Sequence, residues 1–293
     1  MTAAPAAGLA VAPVPGAPPR RPRLTIIGPG RVGKALGKLF HASGAVVLGD
    51  ILARHADSAA AAVAFIGAGR PITDFDMLEP ADVFMLSVGD DQIGACAGFL
   101  ANSALASGSI VFHCSGALTA EVLAPARLAG AQIASIHPVR SFADPAAVAS
   151  AFTGTFCGVE GDAPALAALV PLMLQIGARP VAIDPAQKTI YHAAAVFASN
   201  YLVTLIDVAR QAYGQAGITP DLALEMIAPL LRESAENTFR LGPRQALTGP
   251  IARGDWQTVE RQQQALAAWN PAYAELYAQF ATLTQALVEG RQP

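Results

Sequence analysis

Three glycines, Gly28, Gly30 and Gly33, sit with Pro29, Arg31 and Val32 in the string GPGRVG. That spacing suits one chemical task well, which is holding a pyrophosphate. Gly28 permits a tight turn, Gly30 lets the backbone approach phosphate oxygens, and Gly33 lets a helix pack on the strand before it. The apolar run 24–27 enters the turn as a strand. Val32, Ala35, Leu36 and Leu39 leave it at helical spacing, so the phosphates would rest on a helix N-terminus. Glycines also cluster in ordinary turns; the strand before and the helix after give this string its meaning. A dinucleotide ligand, and with it nicotinamide chemistry, is the expectation.

Further candidates stand at the ends of later apolar runs. Residues 81–88, ADVFMLSV, read as a buried parallel strand ending at Gly89-Asp90-Asp91. In doubly wound sheets ligands gather beyond the carboxyl ends of the strands, which places Ser87, Val88 and Asp90 along the cofactor cleft. Asp90 suits equally well an N-cap of the helix expected from Gln92. A strand at 109–113 ends in Cys114-Ser115-Gly116, and another at 131–136 ends in His137-Pro138, with the proline fixing the chain as it leaves the strand. Ser115 and His137 are thus candidates for holding substrate. His113 reads either the same way or as a satisfied strand residue.

Between these, residues 45–48 form a second strand that extends to Leu52. An acidic residue at such a strand end binds the ribose 2′-hydroxyl of NAD, whereas a cation there binds the 2′-phosphate of NADP. Arg54 follows the strand and can take a phosphate bidentately, so NADP is preferred. Arg54 fits an exposed turn just as well, and Asp50, inside the strand, keeps NAD open.

One helix is expected from 186 to 213, apolar around most of its circumference and therefore buried in its domain or against a second subunit. Its polar exceptions, Lys188, His192 and Ser199, fall at 0, 4 and 11, with Asn200 beside them. Buried polar groups need hydrogen bonds. Either these residues form a network that fixes helix packing, or their face closes the cofactor cleft and holds the substrate. On the second reading His192 is the acid–base group, because an imidazole with an unperturbed pKa of about 6.5 can serve either way near neutrality. Asn200 and Ser115 then hold the substrate oxygen.

The elements that must position these groups alternate strand and helix up to about residue 184 and are helical afterwards, broken near 214–217, 241–243, 249–250 and 270–271. Short strands are also expected at 71–73, 156–160 and 179–183. The fold class is an α/β Rossmann-type nucleotide-binding domain followed by an all-α C-terminal domain. Residues 1–20 form an Ala/Pro-rich tail expected to be disordered, 21–184 the nucleotide-binding domain, and 185–293 a helical domain for substrate and dimerisation. A length of 293 residues is consistent with two such domains. The net charge of −3, without a basic stripe, argues against nucleic acid. Mean hydropathy is +0.40, much of it from alanine, and the most apolar run, 191–206, is short for a membrane span. Cys96, Cys114 and Cys157 have neither zinc-ligand nor disulfide spacing, and no metal is expected. Reduced thiols and the lack of a secretory pattern point to the cytoplasm.

Longer strings carry a family resemblance: GPGRVGKALG (28–37), HCSGAL (113–118), SIHPVRSFADP (135–145), YHAAAVFASNYLVTL (191–205) and ALTGPIARGD (246–255). From about Arg23 to Glu289 the chain resembles oxidoreductases that join a Rossmann-like domain to a C-terminal domain of unknown function. One departure is visible: where that family tends to carry a His, this chain has Gln262. The resemblance implies a fold like that of 6-phosphogluconate dehydrogenase and pyrroline-5-carboxylate reductase, with the helical domain commonly forming a homodimer. In that superfamily a Lys or Asn on the first long helix commonly assists hydride transfer, which points to the helix carrying Lys188, His192 and Asn200, although the spacing departs from Lys-x-x-x-Asn. The expected activity is NADP-dependent hydride transfer to or from a small carbonyl, imine or hydroxy acid. Two other readings stay open. One is a prephenate dehydrogenase-like oxidative decarboxylation, suggested by His137-Pro138. The other is a non-catalytic NADP-binding sensor or interaction protein.

Overall fold

The computed structural model describes residues 20–291. The expected disorder of the N-terminal tail lies outside the described residues except at Arg20. The chain divides into two compact units between Val196 and Phe197. That is later than the boundary expected at 184, and it leaves the start of the long helix, with Lys188 and His192, in the first unit.

The first unit is built on eight strands: β1 (Arg23–Ile27), β2 (Val47–Leu52), β3 (Arg70–Ile72), β4 (Val83–Leu86), β5 (Ile110–His113), β6 (Gln132–Pro138), β7 (Phe156–Gly161) and β8 (Arg179–Ala182). Their order in the sheet is β3-β2-β1-β4-β5-β6-β7-β8. All neighbours run parallel except β6 and β7, where His137 lies opposite Gly158. The order reverses at β1, so the crevice beyond the ends of β1 and β4 is the natural ligand site. Helices α1 (Arg31–Ser43), α2 (Ala56–Ile66), α3 (Asp90–Asn102), α4 (Ala124–Leu128), α5 (Pro145–Ser150) and α6 (Ala163–Gln175) connect the strands.

Residues alternate across the sheet, and both faces are covered. Ile26, Met85 and Phe112 join one apolar cluster with Leu36 and Phe40 of α1. Ile27, Phe84, Leu86 and Val111 join another with Ile93 and Leu100 of α3. Because both sheet faces are buried, these strands read as continuous apolar runs rather than alternating ones.

The expected single long helix is two helices, α7 (Lys188–Ala198) and α8 (Asn200–Gln215), broken where Ser199 takes φ −126° and ψ −70°. The stretch Pro185–Gln215 as a whole is long and apolar enough to cross a membrane by length and composition alone. This is longer than the run judged from sequence, but the break at Ser199 and a charged pair at its start are at odds with a continuous span. The expected burial of this helix is not found within the chain: of α7 only Lys188 is buried, and of α8 nothing is. The second unit continues with α9 (Pro220–Leu241), α10 (Pro243–Ala246), α11 (Trp256–Trp269) and α12 (Pro271–Glu289). Asp255 caps α11 by accepting from the Thr258 N–H at 3.1 Å. Gln262, in place of the family's His, accepts from the Tyr277 hydroxyl at 2.7 Å.

Candidate active site

The glycine turn leaves β1 with Gly28 at φ +79°, and a side chain there would drive into Val88, with a Cβ only 2.3 Å from its Cγ1. Ser87 closes the turn by donating its hydroxyl to the Gly28 carbonyl at 2.7 Å. Gly33 packs directly over that bond, its Cβ position lying 2.3 Å from the Ser87 Oγ. Gly30, by contrast, faces open space, with nothing nearer than 3.9 Å to its Cβ position. Among the described residues no side chain caps the N-terminus of α1, so its first N–H groups are available to an anion. A cavity of about 730 Å³ lies over this turn, lined by Gly28, Pro29, Gly30, Arg54, His55 and Ser87 among others. Open backbone, free helix terminus and cavity together fit a dinucleotide. Arg31 begins α1 and is exposed, outside the lining residues.

Arg54 stands at the far end of that cavity with His55 and Ser58, where β2 gives way to α2. Asp50 does not reach the cavity. It is fully buried in β2, accepting from Arg70 Nε at 2.7 Å and the Glu79 N–H at 2.8 Å. Buried there and outside the cavity lining, Asp50 is not placed to bind a ribose, which corrects its reading as a ribose ligand.

A second cavity, about 290 Å³, shares Ser87 and Val88 with the first and is lined by Val32, Asp90, Cys114, Ser115, Gly116, His137, Arg140, Phe142 and His192. Three of the candidates for holding or converting substrate therefore meet here from elements far apart in sequence: Ser115 after β5, His137 in β6 and His192 on α7. The two imidazole rings lie edge to face with centroids 5.4 Å apart. Gly116 makes the arrangement possible, because a Cβ there would sit 2.3 Å from His192 Nδ1 and 2.7 Å from His137 Nε2. His192 Nδ1 is buried and has no hydrogen-bond partner among the described residues. Such an orphan is unusual in a folded protein and leaves this nitrogen open to a ligand or a water.

His137 Nδ1 lies 3.0 Å from the Tyr191 hydroxyl. Burial, then the neighbouring His192 and Lys188, push the His137 pKa down to about 4. Burial raises the Tyr191 phenol, so it stays protonated, with a backbone hydrogen bond from Gly158 acting the other way. Ser115 is held as a structural link: its Oγ donates to Asp90 Oδ2 at 2.9 Å and accepts from the N–H groups of Ala117 and Leu118. Asp90 is the first residue of α3 rather than its N-cap, which is Gly89. Cys114 is no nucleophile, since burial pushes its thiol up to about 12.

Three candidates fall outside the cavity. His113 is fully buried, with Nε2 3.0 Å from the Thr119 carbonyl and Nδ1 accepting from the Ser115 N–H. Lys188, suggested as catalytic, is 1% exposed and bonds Glu160 Oε1 at 2.7 Å and the Ser135 hydroxyl. Asn200 belongs to the second unit, where its side chain is exposed. Arg140 and Tyr191 were missed from sequence, although both adjoin residues that were singled out.

His113 carries a prediction. Burial lowers its pKa to about 4, while the unfolded chain titrates near 6.5. Between those values the unfolded state binds more protons, so stability is full above pH 6.5 and falls as the pH drops toward 4, by about 3 kcal/mol from this residue. Thermal midpoints by circular dichroism should decline through that window, and His113→Asn should flatten the decline. An unaltered pH profile in the variant would refute this.

Residues 12–138 match the family model of a Rossmann-like domain, and residues 155–284 that of a domain of unknown function, DUF2520. The chain thus joins a Rossmann-like domain to a DUF2520 domain. Among solved structures, it is similar to protein TM1727 from Thermotoga maritima, at 27% identity over 91% of this chain and 98% of that one, with a TM-score of 0.71. A Bacteroides fragilis protein, BF3122, provisionally described as an NADP oxidoreductase, matches at 20% identity over 90% of this chain and 98% of that one, TM-score 0.73. Pyrroline carboxylate reductase from Plasmodium falciparum, solved with NADP bound, matches at 13% identity over 92% and 99%, TM-score 0.59. The last two likenesses show a common fold. No curated protein matches the chain.

Proposed function

We propose that the protein is an NADP-dependent oxidoreductase acting on a small carbonyl, imine or hydroxy-acid substrate. The observation that carries this reading is the pair of cavities meeting at Ser87 and Val88, one over an open glycine turn and the other ending at two histidines. Residues Gly28, Gly30 and the α1 N-terminus hold the pyrophosphate, and Arg54 takes the 2′-phosphate. When bound, the cofactor's chemistry is hydride transfer between its nicotinamide ring and a substrate carbon. His192 gives a proton to the substrate oxygen or nitrogen, so that with the hydride C=O becomes CH–OH, or C=N becomes CH–NH; it takes the proton back in the reverse direction. His137 stays neutral near pH 7. The Tyr191 hydroxyl donates to its Nδ1, which leaves Nε2–H as a fixed donor on the cleft side.

The cofactor half of the proposal is tested by binding. Arg54→Gln should weaken NADPH binding roughly 10- to 100-fold, the worth of hydrogen bonds to a charged group, and leave NADH binding unchanged, as read from nicotinamide fluorescence. Equal loss for both, or for neither, would remove Arg54 from the 2′-phosphate site. The catalytic half is tested by oxidation of NADPH across a panel of small carbonyls and imines; full NADPH binding with no turnover would favour the sensor reading.

The helical unit fits a homodimer. Val203, Leu230 and Phe239 are 66%, 60% and 88% exposed, and apolar side chains left open on this scale suit cover by a second copy of the chain. A cytoplasmic location completes the reading.

A further inference from the structure

Arg140 stands in the smaller cavity with His137 and His192, two residues beyond the end of β6. A tight turn sets it there, the Arg140 N–H donating to the Pro138 carbonyl at 2.9 Å. One nitrogen of its guanidinium is held: Nη1 donates to the Ala151 carbonyl at the end of α5 and to the Thr155 hydroxyl at 3.3 Å. Ion pairs elsewhere engage Arg20, Arg23, Arg70, Arg127, Arg210 and Arg291, but no carboxylate lies within 4.0 Å of Arg140 among the described residues. Among the described residues the one carboxylate lining the same cavity, Asp90, accepts from Ser115 instead. Arg140 is thus a positioned, unpaired cation in a space of about 290 Å³ whose other walls include the apolar Val32, Val88, Pro138 and Phe142.

We infer that Arg140 is the anion anchor of the substrate site, and that the substrate is a small organic acid whose carboxylate pairs with this guanidinium. The inference rests on the oxidoreductase reading and narrows it. With the carboxylate on Arg140 and the reacting carbon's oxygen or nitrogen toward the histidines, the chemical class is a short 2-oxo acid or cyclic 2-imino acid, or the corresponding hydroxy or amino acid in reverse. The planar fork of an arginine matches a carboxylate bidentately and adds orientation to charge. A space of about 290 Å³ suits a substrate of this size.

The test uses the full-length protein with NADPH and two probe pairs that differ in the carboxylate: pyruvate against butane-2,3-dione, and 1-pyrroline-2-carboxylate against 1-pyrroline. The wild type should favour the acid in each pair. Arg140→Met should raise KM for the acids roughly 10- to 100-fold and leave the neutral partners unchanged, with Arg140→Lys in between. NADPH affinity, which Arg140 does not serve, reports that both variants are folded. The same acid-to-neutral preference in wild type and Arg140→Met would overturn the inference, as would a wild type that favours the neutral members. Should no probe be reduced, the oxidoreductase reading suffers, and binding decides on Arg140. Saturation-transfer NMR of the NADP-loaded protein should then show pyruvate binding that Arg140→Met abolishes. Binding that persists in the variant, or is missing from the wild type, overturns it.

Discussion

Replacement of His192 by alanine is expected to lower kcat roughly 10²- to 10⁴-fold, the usual worth of a positioned general acid, while NADPH binds as before. The separation follows from the two cavities. His192 lines the smaller one only, whereas the pyrophosphate turn and Arg54 line the larger. His192→Gln, closer in size, should lose nearly as much, because an amide does not exchange a proton near neutrality. Steady-state turnover of the best panel substrate, with NADPH affinity measured in parallel, checks this. An unchanged kcat would take His192 out of the mechanism. A parallel loss of NADPH affinity would mean that the ring shapes the cofactor site instead.

The second large effect is on stability. Lys188 and Glu160 are 1% and 5% exposed, and the same Glu160 oxygen also accepts from the Ala120 N–H at 2.8 Å. Burial presses the Lys188 pKa down while Glu160 holds it up. Removing one partner of such a pair strands the other charge, at a cost of about 3–5 kcal/mol. Lys188→Met should therefore destabilise the first unit by that amount, and adding Glu160→Gln should recover most of it. Both tryptophans, Trp256 and Trp269, lie in the second unit, so their fluorescence does not report this loss. The labelling rate of the buried thiols of Cys96 and Cys157 does. Thiols as protected in Lys188→Met as in the wild type would show that the pair contributes little.

How far these sites were legible depends on the distance over which each is assembled. The glycine turn, the apolar strands and the change to helices are local patterns, and the structure places them within a few residues of expectation. The antiparallel direction of β7 was not legible, because an apolar run looks the same in either direction. Nor could the partners of buried charges be read: Asp50 is satisfied by Arg70 and Lys188 by Glu160, pairs that only the folded sheet brings together. For the same reason Lys188 passed as a catalytic candidate. A lysine on an apolar helix signals an unusual environment without saying whether that environment is a cleft or a core. The break at Ser199 had no glycine or proline to announce it. Arg140 and Tyr191 stand within three residues of His137 and next to His192 respectively, and the question that would have found them is what orients each histidine.

Lys188, Tyr191 and His192 occupy one turn of α7, and each meets a different partner: Glu160 of β7, His137 of β6, and the open space beside Gly116. On a helix that advances about 100° per residue, these three positions span little more than a quarter of the circumference. Their contacts together define a single angular setting of the helix. A slip of one residue would point Ala193 at Gly116, detach Tyr191 from His137, and drag a buried ammonium away from Glu160 at once. The ion pair thus works as an index pin. It tells a helix whose apolar surface would tolerate many rotations which one puts an imidazole in the cleft.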